Sequence, residues 1–189
     1  MNSKTKKIVG IGLFTAIVLV LQFLGGSIRF GMFSISLVLV PIVVGAAVYG
    51  WQAGAWLGFV FGVAVLLSGD AAAFLAVNII GTILTVLVKG TAAGLFTGLA
   101  YKTLSRFMNK YVSVFIAAVV CPVVNTGIFL LGCRLFFFET ITAWGTAAGF
   151  ANAASYMFIG LAGTNFLIEL ATNLFLSPVI VRLISFAKK

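Results

Sequence analysis

Long apolar runs, broken at intervals by glycine clusters, single charges and proline, set the pattern of this chain. Read as punctuation, those breaks leave six stretches of helix length at about 8–24, 34–50, 52–68, 82–101, 111–133 and 156–184. A helix needs about 20 residues to cross a hydrocarbon core of roughly 30 Å, so these six are predicted transmembrane helices. Only Tyr49-Gly50-Trp51 separates the second from the third, which predicts an antiparallel hairpin. The remaining connections are GGSIRFGMF (25–33), SGDAAAFLAVNIIG (68–81), KTLSRFMNK (102–110) and RLFFFETITAWGTAAGFANAAS (134–155). Residues 68–81 are apolar yet too short to cross. Non-helical backbone survives at membrane depth only where protein or a water-filled cavity surrounds it, so this segment is expected to dip into one face of the bundle or lie across it.

Composition turns this pattern into a class. Of 189 residues, 62% are hydrophobic and 8% charged, and the mean hydropathy is +1.24, far beyond what a soluble surface tolerates. The expectation is an all-α membrane protein with six transmembrane helices, one integral-membrane domain over 1–189 and no soluble enzyme domain. MNSKTKK followed by an apolar run imitates a signal peptide, but no small-x-small cleavage site follows, so a retained first helix is expected. The net charge of +9 does not read as a nucleic-acid interface, because the basic residues stand singly between apolar runs. Alternating the connections across a bilayer puts nine of the twelve on one side: Lys4, Lys6, Lys7, Lys102, Arg106, Lys110, Arg182, Lys188 and Lys189. Arg29 and Arg134 fall on the other side. By the positive-inside bias both termini are cytoplasmic.

The chemistry available is sparse. With no histidine and three acids, no metal site and no cofactor is expected. Cys121 and Cys133 are about 18 Å apart along a helix and cannot form a disulfide with each other. No glycine-rich phosphate loop is present. An enzyme is not expected, since Lys89 and Glu169 are the only candidate acid–base pair.

Those two residues are the only lysine and the only acid inside the predicted spans. Lys89 stands 13 positions before Lys102 and Glu169 stands 13 before Arg182, which puts each about 20 Å from the cytoplasmic interface. A charge at that depth costs about 2.5 kcal/mol or more and calls for a partner. Three readings stay open: both contact a polar ligand, they pair with each other, or Lys89 snorkels outward. Asn165, Glu169 and Asn173 recur every four residues as one polar stripe, serving either a ligand or helix–helix contact. Asn125 follows Pro122, which frees a carbonyl and bends the helix. On the outer face, Asn78 and the aromatics Phe74, Trp144, Phe150 and Tyr156 are further candidates for gripping a ligand. Gly10, Gly12 and Ala16 are predicted to form a small-residue face on the first helix, and Gly90, Gly94 and Gly98 a second one on the fourth.

The segments SISLVLVPIVVGAAVYGWQAGAWLGFVFG (34–62), VKGTAAGLFTGLAYK (88–102) and ELATNLFLSPVIVRLI (169–184) resemble the substrate-binding S components of energy-coupling factor (ECF) vitamin transporters. That resemblance implies a bacterial plasma-membrane protein that captures a water-soluble vitamin at the outer face. It also implies ATP-driven uptake through a transmembrane coupling subunit and two ATPase subunits. Such families dock the coupling subunit through small residues on helix one, and Gly12-x-x-x-Ala16 stands at the matching place, with Val20 where a further alanine is usual. Many members carry an arginine where this chain has Lys89, which keeps the charge and loses the bidentate fork. Substrate contacts are expected from Lys89, Glu169, Asn165, Asn173, Asn125, Asn78 and Trp144. Pantothenate is the first expectation for the vitamin and riboflavin the second. A self-sufficient channel or a membrane assembly factor is the alternative from another class.

Overall fold

The computed structural model describes residues 3–25, 29–30, 33–34 and 37–187. Lys188 and Lys189, two of the cations counted above, lie outside the described residues. Helix α1 spans Ser3–Gly25 and is followed by a two-residue antiparallel ribbon, β1 Arg29–Phe30 against β2 Phe33–Ser34. Next come α2 (Leu39–Tyr49), α3 (Trp51–Leu67), the short α4 (Ala72–Leu75), α5 (Ile79–Leu104) and α6 (Lys110–Phe136). The chain ends with α7 (Phe138–Ala147), α8 (Ala153–Ser155), a π-helical turn over Tyr156–Leu161, and α9 (Gly163–Ala187).

Several of these elements correct the expectation. Among the described residues, four helical stretches are long and apolar enough to cross a membrane: Lys4–Gly25, Ile79–Leu104, Lys110–Phe136 and Ala153–Ser185. The expected helix at 34–50 is only the 11 residues of α2, about 16 Å of rise. Eight of those residues are buried, because α1, α3, α5, α6 and α9 all pack on it. With α3 it forms the pair of shorter apolar helices, at 11 and 17 residues. The expected loop at 134–155 holds α7 and α8. Its polar residues sit at caps and on exposed turns: Asn152, for instance, accepts a hydrogen bond from Ser155 N at 2.8 Å. The expected continuous helix at 156–184 begins instead with the π turn, where Ala162 N bonds Met157 O at 3.0 Å.

Two ends of the bundle can be told apart by contacts. At one end Gly10 abuts Tyr49, Gly98 abuts Trp51, and Lys110 Nζ donates to Ser185 Oγ at 2.6 Å. The cations at the start of α1, the end of α5, the start of α6 and the end of α9 therefore share this end. At the other end Gln22 meets Ser68 and Asp70, and Gly81 abuts Phe136.

Gly50, at φ 95, closes α2 and opens α3, a conformation that glycine adopts without steric cost. The tightest helix pair is α3 with α5. A Cβ on Gly58 would strike Gly90 O and one on Gly90 would strike Gly58 O, and Gly54 and Gly94 stand in the same reciprocal relation. The two backbones touch directly, which sets α5 and its Lys89 against Phe61. A Gly58→Val change must force them apart, and overpacking of this kind costs roughly 1–3 kcal/mol. A lower melting temperature of the purified variant is the expected readout.

Candidate functional site

The inward face of α5 presents Thr82, Thr85, Val86 and Lys89, one to each successive half-turn or turn, because these positions recur at helical spacing. Opposite them stand Phe129, Cys133 and Phe137 of α6 and Asn165 and Glu169 of α9. Phe61 and Val65 of α3, Gln22 of α1, and Asp70, Ala71 and Phe74 of the 68–78 connection complete the wall. Together they enclose a cavity beneath that connection, at the end of the bundle away from the clustered cations. About 60 Å³ of it is open to the centre of a water molecule, within about 620 Å³ of free space that includes the mouth. Lys89 and Glu169, 80 positions apart in the chain, thus face one chamber.

Their partners differ. Lys89 Nζ lies 5.6 Å from the ring centroid of Phe61 and 5.5 Å from that of Phe129, a cation–π sandwich that holds the ammonium by two aromatic faces. Among the described residues no hydrogen bond or ion pair is made by this ammonium, so its three N–H donors stay uncommitted. Glu169 is 2% exposed. Its Oε1 accepts from Asn165 Nδ2 at 3.2 Å and its Oε2 from Asn125 Nδ2 at 3.5 Å. A carboxylate has about four lone-pair directions, so acceptor capacity remains.

The polar stripe on α9 continues to Ser177. Asn173 Nδ2 donates to Glu169 O at 2.9 Å and Ser177 Oγ to Asn173 O at 2.9 Å. Of the stripe, Asn165 and Glu169 reach the cavity. Asn173 and Asn125 are buried behind it and do not line it, so they reach a ligand only through Glu169. The Oδ1 atoms of both, together with Thr85 Oγ1, are buried without a hydrogen-bond partner.

Two expected contacts fall elsewhere. Asn78 caps α5, its Oδ1 accepting from Gly81 N at 2.9 Å. An asparagine directly before a helix is drawn to the free N–H groups of the first turn, which turns it from the cavity. Asn78→Ala is therefore expected to cost about 1 kcal/mol of stability and to leave ligand affinity unchanged, as parallel melting and binding titrations would show. Trp144 lies one layer out, edge-on to Phe74 at 5.5 Å between centroids. Phe74 itself lines the cavity and also meets Phe129 and Phe137 edge-on, at 5.7 and 5.1 Å. Phe150 and Tyr156 meet each other at a tilt, 5.2 Å between centroids, away from the wall.

Gln22 and Thr85 are wall residues that the sequence pattern does not single out. Gln22 Nε2 donates to Asp70 Oδ2 at 2.5 Å and to Ser68 Oγ at 3.2 Å, tying the end of α1 to the connection that roofs the cavity. Gln22, the one amide in α1, is the available signal. Thr85 gave none, since threonine is common in membrane helices.

Helix one also divides its small residues. Gly10 and Gly12 are two positions and so about 200° apart on a helix. Gly10 turns inward against Tyr49, whereas a Cβ on Gly12 would meet nothing within 4 Å. Gly10 therefore leaves the expected small face, and Gly12 and Ala16 remain exposed. Cys121 and Cys133 are both free and buried.

A family model described as ECF transporter, substrate-specific component, matches residues 6–181. No curated protein and no solved structure matches the chain.

Proposed function

This chain belongs to the ECF transporter substrate-specific component family, and from that premise we propose that it captures a water-soluble vitamin in the cavity between Lys89 and Glu169. Members of the family are membrane proteins that bind a transported substrate and are not enzymes. The observation that carries the reading is the juxtaposition of those two side chains across one chamber. Ionisable groups at membrane depth face functional cavities far more often than lipid, and here the ammonium is stacked on rings with its donors uncommitted.

The cation-rich end of the bundle faces the cytoplasm in this reading, and the 68–78 connection faces outward, where the vitamin arrives at a bacterial plasma membrane. Lys89, Glu169 and Asn165 contact the substrate. Asn125 and Asn173 hold Glu169 in place. Gly12 and Ala16 meet the transmembrane coupling subunit, which two ATPase subunits drive. Pantothenate and riboflavin head the compounds to screen.

The test is a thermal-shift screen of the purified protein against the soluble vitamins, since a ligand of the folded state raises its melting point. One vitamin is expected to do so, with micromolar or tighter affinity by calorimetry and with uptake only when the coupling module is co-expressed. Vitamin uptake by cells that lack every coupling subunit would instead identify a self-sufficient channel.

A further inference from the structure

We infer that the ligand carries no net charge and is a compact ring bearing a hydrogen-bond acceptor for Lys89 and a donor for Glu169. The inference rests on the capture function proposed above and narrows its substrate class. A free carboxylate is the obvious mate for a buried lysine, and the residues around Lys89 argue against it.

Lys89 and Glu169 are one formal cation and one formal anion facing the same cavity, whose wall carries a second anion, Asp70, tied to Gln22 at the roof. Neither neutralises the other by contact, because no N···O approach within 4.0 Å joins them among the described residues. A carboxylate placed against Lys89 therefore brings a further anion into a chamber already lined by Glu169 and Asp70. Like charges in a confined apolar space repel far more strongly than in water. A neutral ligand that bridges Lys89 and Glu169 avoids this. Its acceptor takes the uncommitted ammonium donors, and its N–H or O–H takes the lone pairs that Asn165 and Asn125 leave open on Glu169. Thr85 Oγ1, buried on the same wall without a partner, adds a hydroxyl that can donate or accept.

The remaining wall sets the shape. Phe61, Phe129, Phe74 and Phe137 give aromatic faces and edges, a lining that suits a flat ring carrying its polar atoms on one edge, as an amide, imide or hydroxypyridine does. The limited free volume favours a small ring or the polar edge of a fused one.

Matched pairs decide the point. The full-length protein in lipid nanodiscs is titrated calorimetrically with nicotinamide, pyridoxine and riboflavin, and in parallel with nicotinate, pantothenate and biotin. An uncharged or zwitterionic ring is expected to bind best, with every carboxylate at least tenfold weaker. Glu169→Gln removes the anion across the chamber from Lys89. The ratio of nicotinate to nicotinamide affinity, or of the matching pair for whichever ring binds, is expected to rise at least tenfold. A carboxylate as tightest ligand, or a ratio that Glu169→Gln does not move, overturns the inference and leaves the capture function standing. No binding from either set, with no uptake in the presence of a coupling module, overturns both. If Glu169→Gln does not fold, the wild-type panel decides alone.

Discussion

Replacing Lys89 by alanine is expected to weaken vitamin binding at least tenfold while the protein still expresses at near its normal level. Tenfold corresponds to about 1.4 kcal/mol, and hydrogen bonds to charged groups contribute roughly 1.5–3 kcal/mol each, so the loss of a single ammonium contact suffices. The structure explains why the fold should tolerate the change. Lys89 makes no ion pair within the described residues, and what it loses is two ring contacts at 5.5 and 5.6 Å, worth about 0.5–2 kcal/mol between them at a partly desolvated site. Alanine also preserves the helix and leaves the neighbouring Gly90 contact with Gly58 intact. Calorimetry on wild type and variant reads the effect directly. A dissociation constant that does not change would show that the lysine serves the packing of α3, α5 and α6 alone.

The second large effect is a separation of functions on helix one. With tryptophan at Gly12 or Ala16, vitamin binding is expected to survive and coupled uptake to fall to background. Space around these positions is open: a side chain added at Gly12 meets no atom of the protein within 4 Å, and Ala16 is exposed. The same helix is the least buried of the long ones, with 11% of its most apolar window buried against 33–39% elsewhere. An indole there does not disturb the bundle but stands where a partner helix would have to approach closely, and small residues are what permit such approach in membranes. A bulky residue at Gly10 provides the contrast, because it must collide with Tyr49 and should lower stability itself. Binding and uptake lost together at Gly12 or Ala16 would mean misfolding and remove the docking role.

How far these residues could be foreseen differs case by case. Lys89 and Glu169 stood out because charge is scarce here and costly in hydrocarbon, and a count of helical rise from the terminal cations brought them to the same depth. Asn165 followed from its four-residue spacing. Asn78 stands at the cap of α5 because its side chain answers to the nearest backbone N–H groups, which depth and polarity do not report. Gln22 and Thr85 became site residues only when α1 and α5 were brought against α3, α6 and α9.

The amino-acid sequence by itself determined the membrane class, the family, the gathering of cations toward one end and the two charges that must find a polar chamber. Each of these follows from composition or from local spacing, through the cost of moving charge and bare backbone into lipid. Tertiary structure alone decided that α2 is enclosed by five other helices, that Gly10 and Gly12 face opposite ways, and that Lys89 is held by Phe61 and Phe129 and not by Glu169. Those outcomes depend on which backbones can touch, and the reciprocal glycine contacts between α3 and α5 specify that across more than thirty residues of intervening chain.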